Sequence, residues 1–493
     1  MTTGTQPSFS QLTLTVTERC NQRCRYCYVD VDRGRTMSFD VAERALRLLF
    51  DAAPAGEPVA VSFFGGEPFL VPGLLRRIAE RARELAGPDR RLELTVSTNG
   101  TAVDAEGMAL MRELGMRVAV SYDGDQGQQE RPLARGGSSL PDIRDRLPDL
   151  LGLDIPRPLG RLTVTPDNVA FLADNVRTVH GAGFDRILYL PAFEADWSGR
   201  ALAEWARQHD RLATWLIGLR GGGGRAPVLP AWRGIFARLR GSPRRHCGAG
   251  VNQVTVSVDG RIYPCYRSVY DPGGEQLVLG DVWEGLTQAD RRGGLAALDP
   301  ERPRPAAGSC DDCSARDGCG FFCPALGHLL LGNTAAVPES ACALTRVQVA
   351  LCRRLLEADT RGRRSPRRKR WAAAALAAAF LGGGSAACDR FAAGSVDGTV
   401  GHDSVVVDDD GTIGPGVCPV QLDAGDDATI GPGQCPYPID AGLYDATVGP
   451  GLCPHPIDGG IEPHPDGSIG PGLCPWVPDS GTPEDGGMPP GIC

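Results

Sequence analysis

Short apolar runs recur along the first 190 residues, separated by stretches whose apolar residues follow a helical period. The first run alternates leucine and valine with threonine, as a strand with one covered face does. The runs cover residues 12–16, 59–64, 92–97, 118–122, 162–165 and 187–190. Because crossovers between parallel strands are right-handed and carry helices, this series predicts six βα units of the α/β class, either doubly wound or curled into a barrel. Chemistry is then expected on the loops that follow the strands.

The chain changes character after this series. A helical stretch near residues 205–219 and a glycine-rich break at 221–224 lead out of the predicted sheet. Residues 254–258 and 262–265 then flank an Asp-Gly pair, which predicts a β-hairpin. From there to about residue 352 the chain has little periodicity and many cysteines. We therefore expect metal, rather than an apolar core, to hold this region together.

The C-terminal part is different again. A basic run at 361–370 precedes an apolar run at 371–384, which at fourteen residues is short for a membrane span and suits a signal sequence that ends near Cys388. Residues 411–493 then repeat the pattern Thr-Ile-Gly-Pro-Gly-x-Cys-Pro every 17 to 21 residues, with a degenerate last copy. This segment has few large apolar residues and many Gly and Pro residues, so we expect it to be disordered.

Charge and cysteine content narrow the possible partners. The formal charge is −9, yet the residues from Asp389 onward include 17 acidic residues and one basic residue, while residues 1–360 balance near zero. Nothing in this distribution indicates a nucleic-acid partner. The 17 cysteines could form disulfides or bind metal. Residues 1–36 contain no secretory signal, so we expect residues 1–360 to be cytoplasmic with reduced thiols, and the tail to be membrane-directed or exported.

Three cysteines follow the first predicted strand directly. Cys20, Cys24 and Cys27 are spaced C-x3-C-x2-C within one loop. A four-iron, four-sulfur (4Fe–4S) cluster normally takes four cysteines, so three thiolates leave one iron open to a chelating ligand. A structural zinc loop is the alternative that this motif alone allows.

Polar motifs follow the next three predicted strands. They are Gly65-Gly66-Glu67-Pro68, Thr98-Asn99-Gly100 and Ser121-Tyr122-Asp123-Gly124. Each alone is a common turn sequence. Their order on successive strands, after the three-cysteine loop, resembles that of the radical S-adenosylmethionine (SAM) enzymes. The resemblance implies a partial (β/α)6 TIM-like barrel, with a 4Fe–4S cluster at the three cysteines and SAM on the open iron.

The resemblance also implies which residues hold SAM. The loop of Gly65, Gly66 and Glu67 would bind the amino group of the methionine part, with the Glu67 carboxylate paired to the ammonium. The polar contacts to the nucleoside would come from Thr98, Asn99, Ser121 and Asp123.

The family usually places an arginine after the fourth-strand motif, where it meets the methionine carboxylate. Arg131 and Arg135 both qualify. The resemblance favours Arg135, because two glycines and a serine follow it as in relatives. A surface salt bridge is the alternative for either residue.

The later cysteines resemble the SPASM pattern, which implies two auxiliary 4Fe–4S clusters and three clusters in all. One set would be Cys310, Cys313, Cys319 and Cys342, and the other Cys247, Cys265 and Cys323. A pair of structural zinc sites is the alternative. The second set has only three members. Either His246 or Cys352 completes it, or the site is open to a substrate thiolate, which we favour.

The residue after Cys265 bears on the reaction. Sulfatase-maturing relatives have an aspartate there, whereas this chain has Tyr266. We therefore expect peptide crosslinking rather than formylglycine formation. Four repeats of the tail place an aspartate five residues after the cysteine: Cys418 and Asp423, Cys435 and Asp440, Cys453 and Asp458, and Cys474 and Asp479. Some SPASM enzymes join cysteine sulfur to a carbon of a nearby residue, so the tail is interpreted as the enzyme's own peptide substrate, with a low-potential electron donor as a further partner.

Two other functions stay open. The enzyme could act on a separate protein or small molecule, with the tail a lipoprotein-like spacer whose cysteines form disulfides after export. A non-enzymatic metal-binding lipoprotein is the other alternative. The predicted organisation is a radical SAM core at 1–220, a linker at 221–246, a SPASM domain at 247–358, a basic linker with the apolar segment at 359–410 and the acidic repeat tail at 411–493.

Overall fold

The computed structural model describes residues 8–243, 247–298, 304–306 and 308–364. The apolar run at 371–384 and the repeat tail lie outside these residues. Within them, none of the helices combines the length and the apolar character needed to span a bilayer.

The six predicted strands are present and form one parallel sheet. They are β1 Gln11–Thr17, β2 Val59–Gly65, β3 Leu92–Thr98, β4 Arg117–Ser121, β5 Leu159–Val164 and β6 Arg186–Pro191. Each strand pairs with the next one in the chain, from β1 to β6. This sequential order is that of a barrel and not of a doubly wound sheet, whose order reverses at a switch point. The prediction of an α/β core with a parallel sheet is confirmed.

Helices connect these strands, and local signals explain where several of them begin and end. They are α1 Phe39–Ala52, α2 Pro72–Ala86, α3 Ala105–Leu114, α4 Gly124–Gly127, α5 Leu140–Leu151 and α6 Leu172–Gly181. The Ser38 side chain accepts a hydrogen bond from the Val41 amide at the start of α1, and Asp104 does the same for Gly107 in α3. Gly115 ends α3 at φ 57°, in the left-handed region that favours glycine.

The two faces of the sheet differ in polarity. On the helix side, alternate residues such as Leu12, Leu14 and Phe63 are buried in the main apolar core. On the other face lie hydroxyl side chains; the Thr95 hydroxyl donates to Ser62 Oγ at 2.7 Å, and the buried Thr15 Oγ1 has no partner. A closed TIM barrel fills its interior with branched apolar side chains. The inner face of this sheet is therefore built to surround a polar ligand.

The cysteine-rich region continues the same sheet. After α7 Gly199–Gly221 and α8 Pro230–Leu239, strand β7 Gln253–Val256 pairs in parallel with β1. Strand β8 Arg261–Tyr263 then pairs with β7 in antiparallel fashion, which confirms the predicted hairpin, and β9 Gly280–Asp281 follows at the sheet edge. The predicted second domain thus begins with strands that belong to the sheet of the first.

The remaining elements are short, apart from the last helix. They are α9 Ala289–Ala296, β10 Arg304–Pro305, α10 Pro324–Leu331, β11 Ala336–Val337 and α11 Glu339–Arg364. Single-turn 3-10 helices lie at Pro68–Leu70, Gln128–Glu130, Val169–Phe171, Tyr266–Tyr270 and Gly274–Leu277. Helix α11 packs on α7 and α8. The buried Trp205 indole donates to the Leu344 carbonyl at 3.1 Å and fixes this contact.

Candidate functional site

The three cysteines of the first loop lie at the carboxyl end of β1. The Gln22 amide donates to Cys20 Sγ at 3.4 Å, and Cys24 Sγ lies 3.6 Å from Gln22 Oε1. Burial raises the pKa of Cys20 to about 12 and also raises the pKa of Cys24 and Cys27. A bound cation would favour the thiolate form that iron requires.

Gly65 and Gly66 hold the second loop against the first. The Gly66 amide donates to the Thr17 carbonyl and the Glu67 amide to the Arg19 carbonyl, both at 2.8 Å. A Cβ atom at Gly65 would lie 2.1 Å from Thr17 O, and one at Gly66 would lie 2.2 Å from Arg19 O. The family resemblance implies that these glycines let the backbone approach the ligand closely. In the structure, the missing Cβ atoms leave room for the backbone that leads into the cysteine loop.

Glu67 is fully buried and joins the second loop to the third. Its carboxylate accepts hydrogen bonds from Thr98 Oγ1 at 2.8 Å, from the Asn99 amide at 2.7 Å and from the Phe69 amide at 3.1 Å. Burial raises the pKa of Glu67, and these donors oppose the rise. Two carboxylate oxygens offer about four acceptor positions, so this carboxylate can accept one further donor.

Asn99 connects the third loop to the first. Its Nδ2 donates to Asn21 Oδ1 at 2.8 Å and lies 3.8 Å from Cys20 Sγ. Asn21 in turn donates to Thr101 Oγ1 at 2.9 Å. The three loops that the sequence analysis singled out after β1, β2 and β3 therefore lie together, as their positions on neighbouring strands predict.

Asp123, after β4, belongs to a buried group with Tyr26 and Arg131. The Tyr26 hydroxyl donates to Asp123 Oδ2 and accepts a hydrogen bond of 2.5 Å from Arg131 Nη1. Asp123 Oδ1 accepts from the Thr163 amide at 2.9 Å. Burial raises the pKa of Asp123, although Arg131 opposes the shift. Arg131 Nε is buried and has no hydrogen-bond partner among the residues that the structure describes.

The structure brings Arg131 to the site and leaves Arg135 outside it. The Arg131 side chain is 8% exposed and lies 3.8 Å from Asp123. The Arg135 side chain is 74% exposed and pairs with Asp142 at 3.0 Å. Gly136 and Gly137, which favoured Arg135 in the sequence, both have positive φ and belong to an exposed turn. The two adjacent glycines therefore mark an exposed turn, and they did not identify the buried arginine. Ser121 lies at the end of β4, beside Arg161 of β5.

The later cysteines lie near other members of the sets that the resemblance implied, and the assignment of each set to a cluster stays a prediction. Cys342 interacts electrostatically with Cys319, Cys310 and Cys313, and burial raises its pKa to about 11. In the other set, Cys247 interacts with Cys323 and Cys265. Burial raises the pKa of Cys247 to about 12 and that of Cys323 to about 11.

The candidate fourth ligands of the Cys247 set have different positions. Cys352 is fully buried in the apolar core, where burial raises its pKa and Arg238 is the charged group that acts on it. It therefore lies among packing residues and not with the Cys247 set. His246 lies outside the described residues.

The donor set fits iron–sulfur clusters and SAM. A 4Fe–4S cluster takes its cysteine ligands on different irons, and three thiols in one loop leave one iron open. Next to the first loop, the unpartnered Arg131 Nε is a donor suited to a carboxylate.

Comparison with known proteins agrees with this geometry. Residues 14–168 match the model of the radical SAM superfamily. The chain is 27% identical over 334 residues to the serine-type anaerobic sulfatase-maturating enzyme of Klebsiella aerogenes, with 62% of this chain and 77% of that enzyme covered. It is also 28% identical over 180 residues to an uncharacterized protein of Methanocaldococcus jannaschii, covering 36% of this chain and 61% of that protein.

The fold matches as well. Native anSMEcpe with bound AdoMet superimposes with a TM-score of 0.59 and 16% identity, over 71% of this chain and 98% of that one. Residues 14–168 are therefore a radical SAM domain, which supports an enzyme of the radical SAM type. In sequence the chain is similar to the serine-type anaerobic sulfatase-maturating enzymes.

Proposed function

We propose that this enzyme modifies peptides by forming thioether crosslinks, and that its substrate is its own C-terminal repeat segment. The observation that carries the proposal is the constant spacing of five residues between cysteine and aspartate in four repeats. A peptide presented repeatedly to one active site needs its reacting pair at a fixed separation, whereas a disulfide-linked spacer has no use for an aspartate there. Fusion also raises the effective concentration of the substrate.

Peptide modification is supported by the relatives. Native anSMEcpe has been solved with AdoMet and the Cp18Cys peptide, with a TM-score of 0.58 to this chain and 16% identity. Formylglycine formation is disfavoured because Tyr266 stands where the sulfatase-maturing relatives have an aspartate.

Three clusters are assigned to the chain. Cys20, Cys24 and Cys27 would hold the cluster that binds SAM. The two auxiliary clusters would be held by Cys310, Cys313, Cys319 and Cys342, and by Cys247, Cys265 and Cys323. The last set has an open position, which suits the thiolate of a substrate cysteine.

We assign the methionine carboxylate of SAM to Arg131 rather than to Arg135. Arg131 is buried beside Cys24 and keeps an unpartnered Nε, so its guanidinium can form a charge-assisted bond without losing the Tyr26 contact. Glu67 retains capacity for the ammonium. The remaining polar positions, Thr98, Asn99, Ser121 and Asp123, are assigned to orienting the three loops and the nucleoside.

The chemistry balances with SAM as the oxidant. When bound, a reduced cluster and SAM would supply the one-electron chemistry that removes a hydrogen atom from an unactivated carbon, and one SAM would be consumed per crosslink as a two-electron oxidant. Each new C–S bond replaces one C–H and one S–H bond. The protein contributes by orienting the two reacting groups and excluding water.

Mass spectrometry of the tail tests the proposal. After anaerobic incubation with SAM and a reductant, each crosslink should remove two hydrogens and one alkylatable thiol. Asp440→Ala should leave Cys435 free to alkylate while the other repeats react. An unchanged mass, with all five cysteines from Cys418 to Cys493 still alkylatable, would instead favour action on a separate protein or small molecule, with the tail as a spacer.

A further inference from the structure

Three aromatic rings form a stack at the carboxyl end of the sheet. The rings of Phe64 and Tyr266 have centroids 4.6 Å apart. Tyr28 stacks on both, at 6.4 Å from Phe64 and 6.3 Å from Tyr266, with interplanar angles of 12° and 23°. All three side chains are half-buried, so part of the stack faces solvent.

The stack joins the two kinds of cysteine site. Tyr28 directly follows Cys27, Phe64 directly precedes Gly65, and Tyr266 directly follows Cys265. The rings therefore lie next to both the first cysteine loop and the Cys265 set. Arg267 fixes one end of the stack, since its guanidinium lies 4.9 Å from the centroid of the Tyr28 ring and forms an ion pair with Glu194.

The repeats contain a residue that suits such a surface. A proline directly follows the cysteine in four repeats, at Pro419, Pro436, Pro454 and Pro475. Proline-rich segments dock on exposed aromatic side chains, because the rigid ring loses little entropy when it stacks.

We propose that Tyr28, Phe64 and Tyr266 form the docking surface for the proline that follows each reactive cysteine. This inference rests on the proposed function of the tail as substrate. With the proline on the rings, the preceding cysteine lies next to the Cys265 set. Tyr266 then has a binding role at the position where the sulfatase-maturing relatives carry an aspartate.

The test compares repeats within one full-length molecule, so that the other repeats serve as internal standards. Pro436→Ala should lower crosslinking of Cys435, relative to Cys418 and Cys453, by roughly five- to tenfold, the size of one aromatic stacking contact. Pro438→Ala is the matched control, because this proline lies in the same repeat but does not adjoin the cysteine, and the ratio should not change. The readout is the early extent of alkylation of each cysteine.

A second substitution separates docking from a local backbone effect, since proline also restricts the residue before it. In a Tyr266→Ala background, Pro436→Ala should no longer change the ratio of Cys435 to the other cysteines, whereas in Tyr266→Phe it should still do so. If Tyr266→Ala does not fold, Phe64→Leu serves the same purpose. An undiminished effect of Pro436→Ala without the aromatic ring, or no effect in the parent enzyme, overturns the docking proposal. Absence of crosslinking at every repeat of the parent enzyme overturns the proposed function instead.

Discussion

Strands β1 to β6 are five to seven residues long, whereas β8 to β11 are two or three residues long. The first group buries alternate apolar side chains under helices. The second group lies among seven cysteines and has little regular structure of its own. Because this segment pairs so little backbone, it needs a source of stability other than strand pairing. Burial stabilises the core, and the proposed auxiliary clusters would supply the further stability that the region around Cys310 to Cys342 needs.

Removal of iron should therefore affect the two regions very differently, and this is the largest effect that we expect. After chelation of the anaerobically reconstituted protein, amide protection should fall across residues 308–342 and persist in β1 to β6, as measured by hydrogen exchange. Cys319→Ser should reproduce the change, whereas Cys352→Ser, in the apolar core, should not produce it selectively. An equal loss of amide protection in both regions would contradict a selective role of metal in the cysteine-rich region.

A buried histidine lies between the core and helix α11 and should make this contact sensitive to acid. His209 Nε2, on α7, lies 3.0 Å from the Tyr189 hydroxyl of β6 and 3.3 Å from Gln348 Nε2 of α11. Burial lowers the pKa of His209 to about 4. In the unfolded chain this histidine binds a proton as the pH falls through about 6.5, whereas in the folded chain it does so only near pH 4. The free energy of unfolding should therefore be highest above pH 6.5 and fall between pH 6.5 and 4.

The size of this acid effect is about 3 kcal/mol at most, from the difference between the two pKa values. Chemical unfolding at several pH values measures it. His209→Gln should flatten the dependence over this window, while His180→Gln, a half-buried histidine of α6, should not. If the free energy of unfolding of His209→Gln falls with pH as steeply as that of the unaltered protein, groups other than His209 cause the acid effect.

The smallest expected effect concerns the affinity for SAM, and it tests which arginine of the core binds the methionine carboxylate. Arg131→Ala should weaken SAM binding by roughly tenfold or more, the loss of one charge-assisted hydrogen bond. Arg135→Ala is the matched control, since this exposed side chain pairs only with Asp142 in the described structure. Equilibrium binding to the reconstituted protein measures both. Equal losses, or a larger loss for Arg135→Ala, would reverse our assignment.

The part of the fold that could be predicted from the sequence is the part with a regular hydrophobic period. All six parallel strands lie within three residues of their predicted bounds. The hydrophobic pattern left a doubly wound sheet and a barrel both open, and the sequential pairing of a barrel was implied by the family resemblance. The pairing of β7 with β1 was not predicted, because it joins Leu12 to Val254 across most of the described chain and no local pattern encodes it.

The site shows the same division. The spacing of the cysteines identified the first loop and the later group of cysteines, whereas the division of that group into two auxiliary sets rests on the family resemblance and stays a prediction. The choice between Arg131 and Arg135 could not be made from the sequence, because it depends on which side chain is buried against Tyr26 and Asp123. The close approach of Gly65 to the Thr17 carbonyl is likewise a contact between distant segments.

The most direct test of the account is reductive cleavage of SAM by a variant in which Cys20, Cys24 and Cys27 are all replaced by alanine. The unaltered protein should hold about a dozen irons in three clusters, and the variant should lose about four of them. The variant should bind iron at the later cysteines and cleave no SAM. Cleavage that survives in this variant would contradict the assignment of the first loop as the radical SAM site.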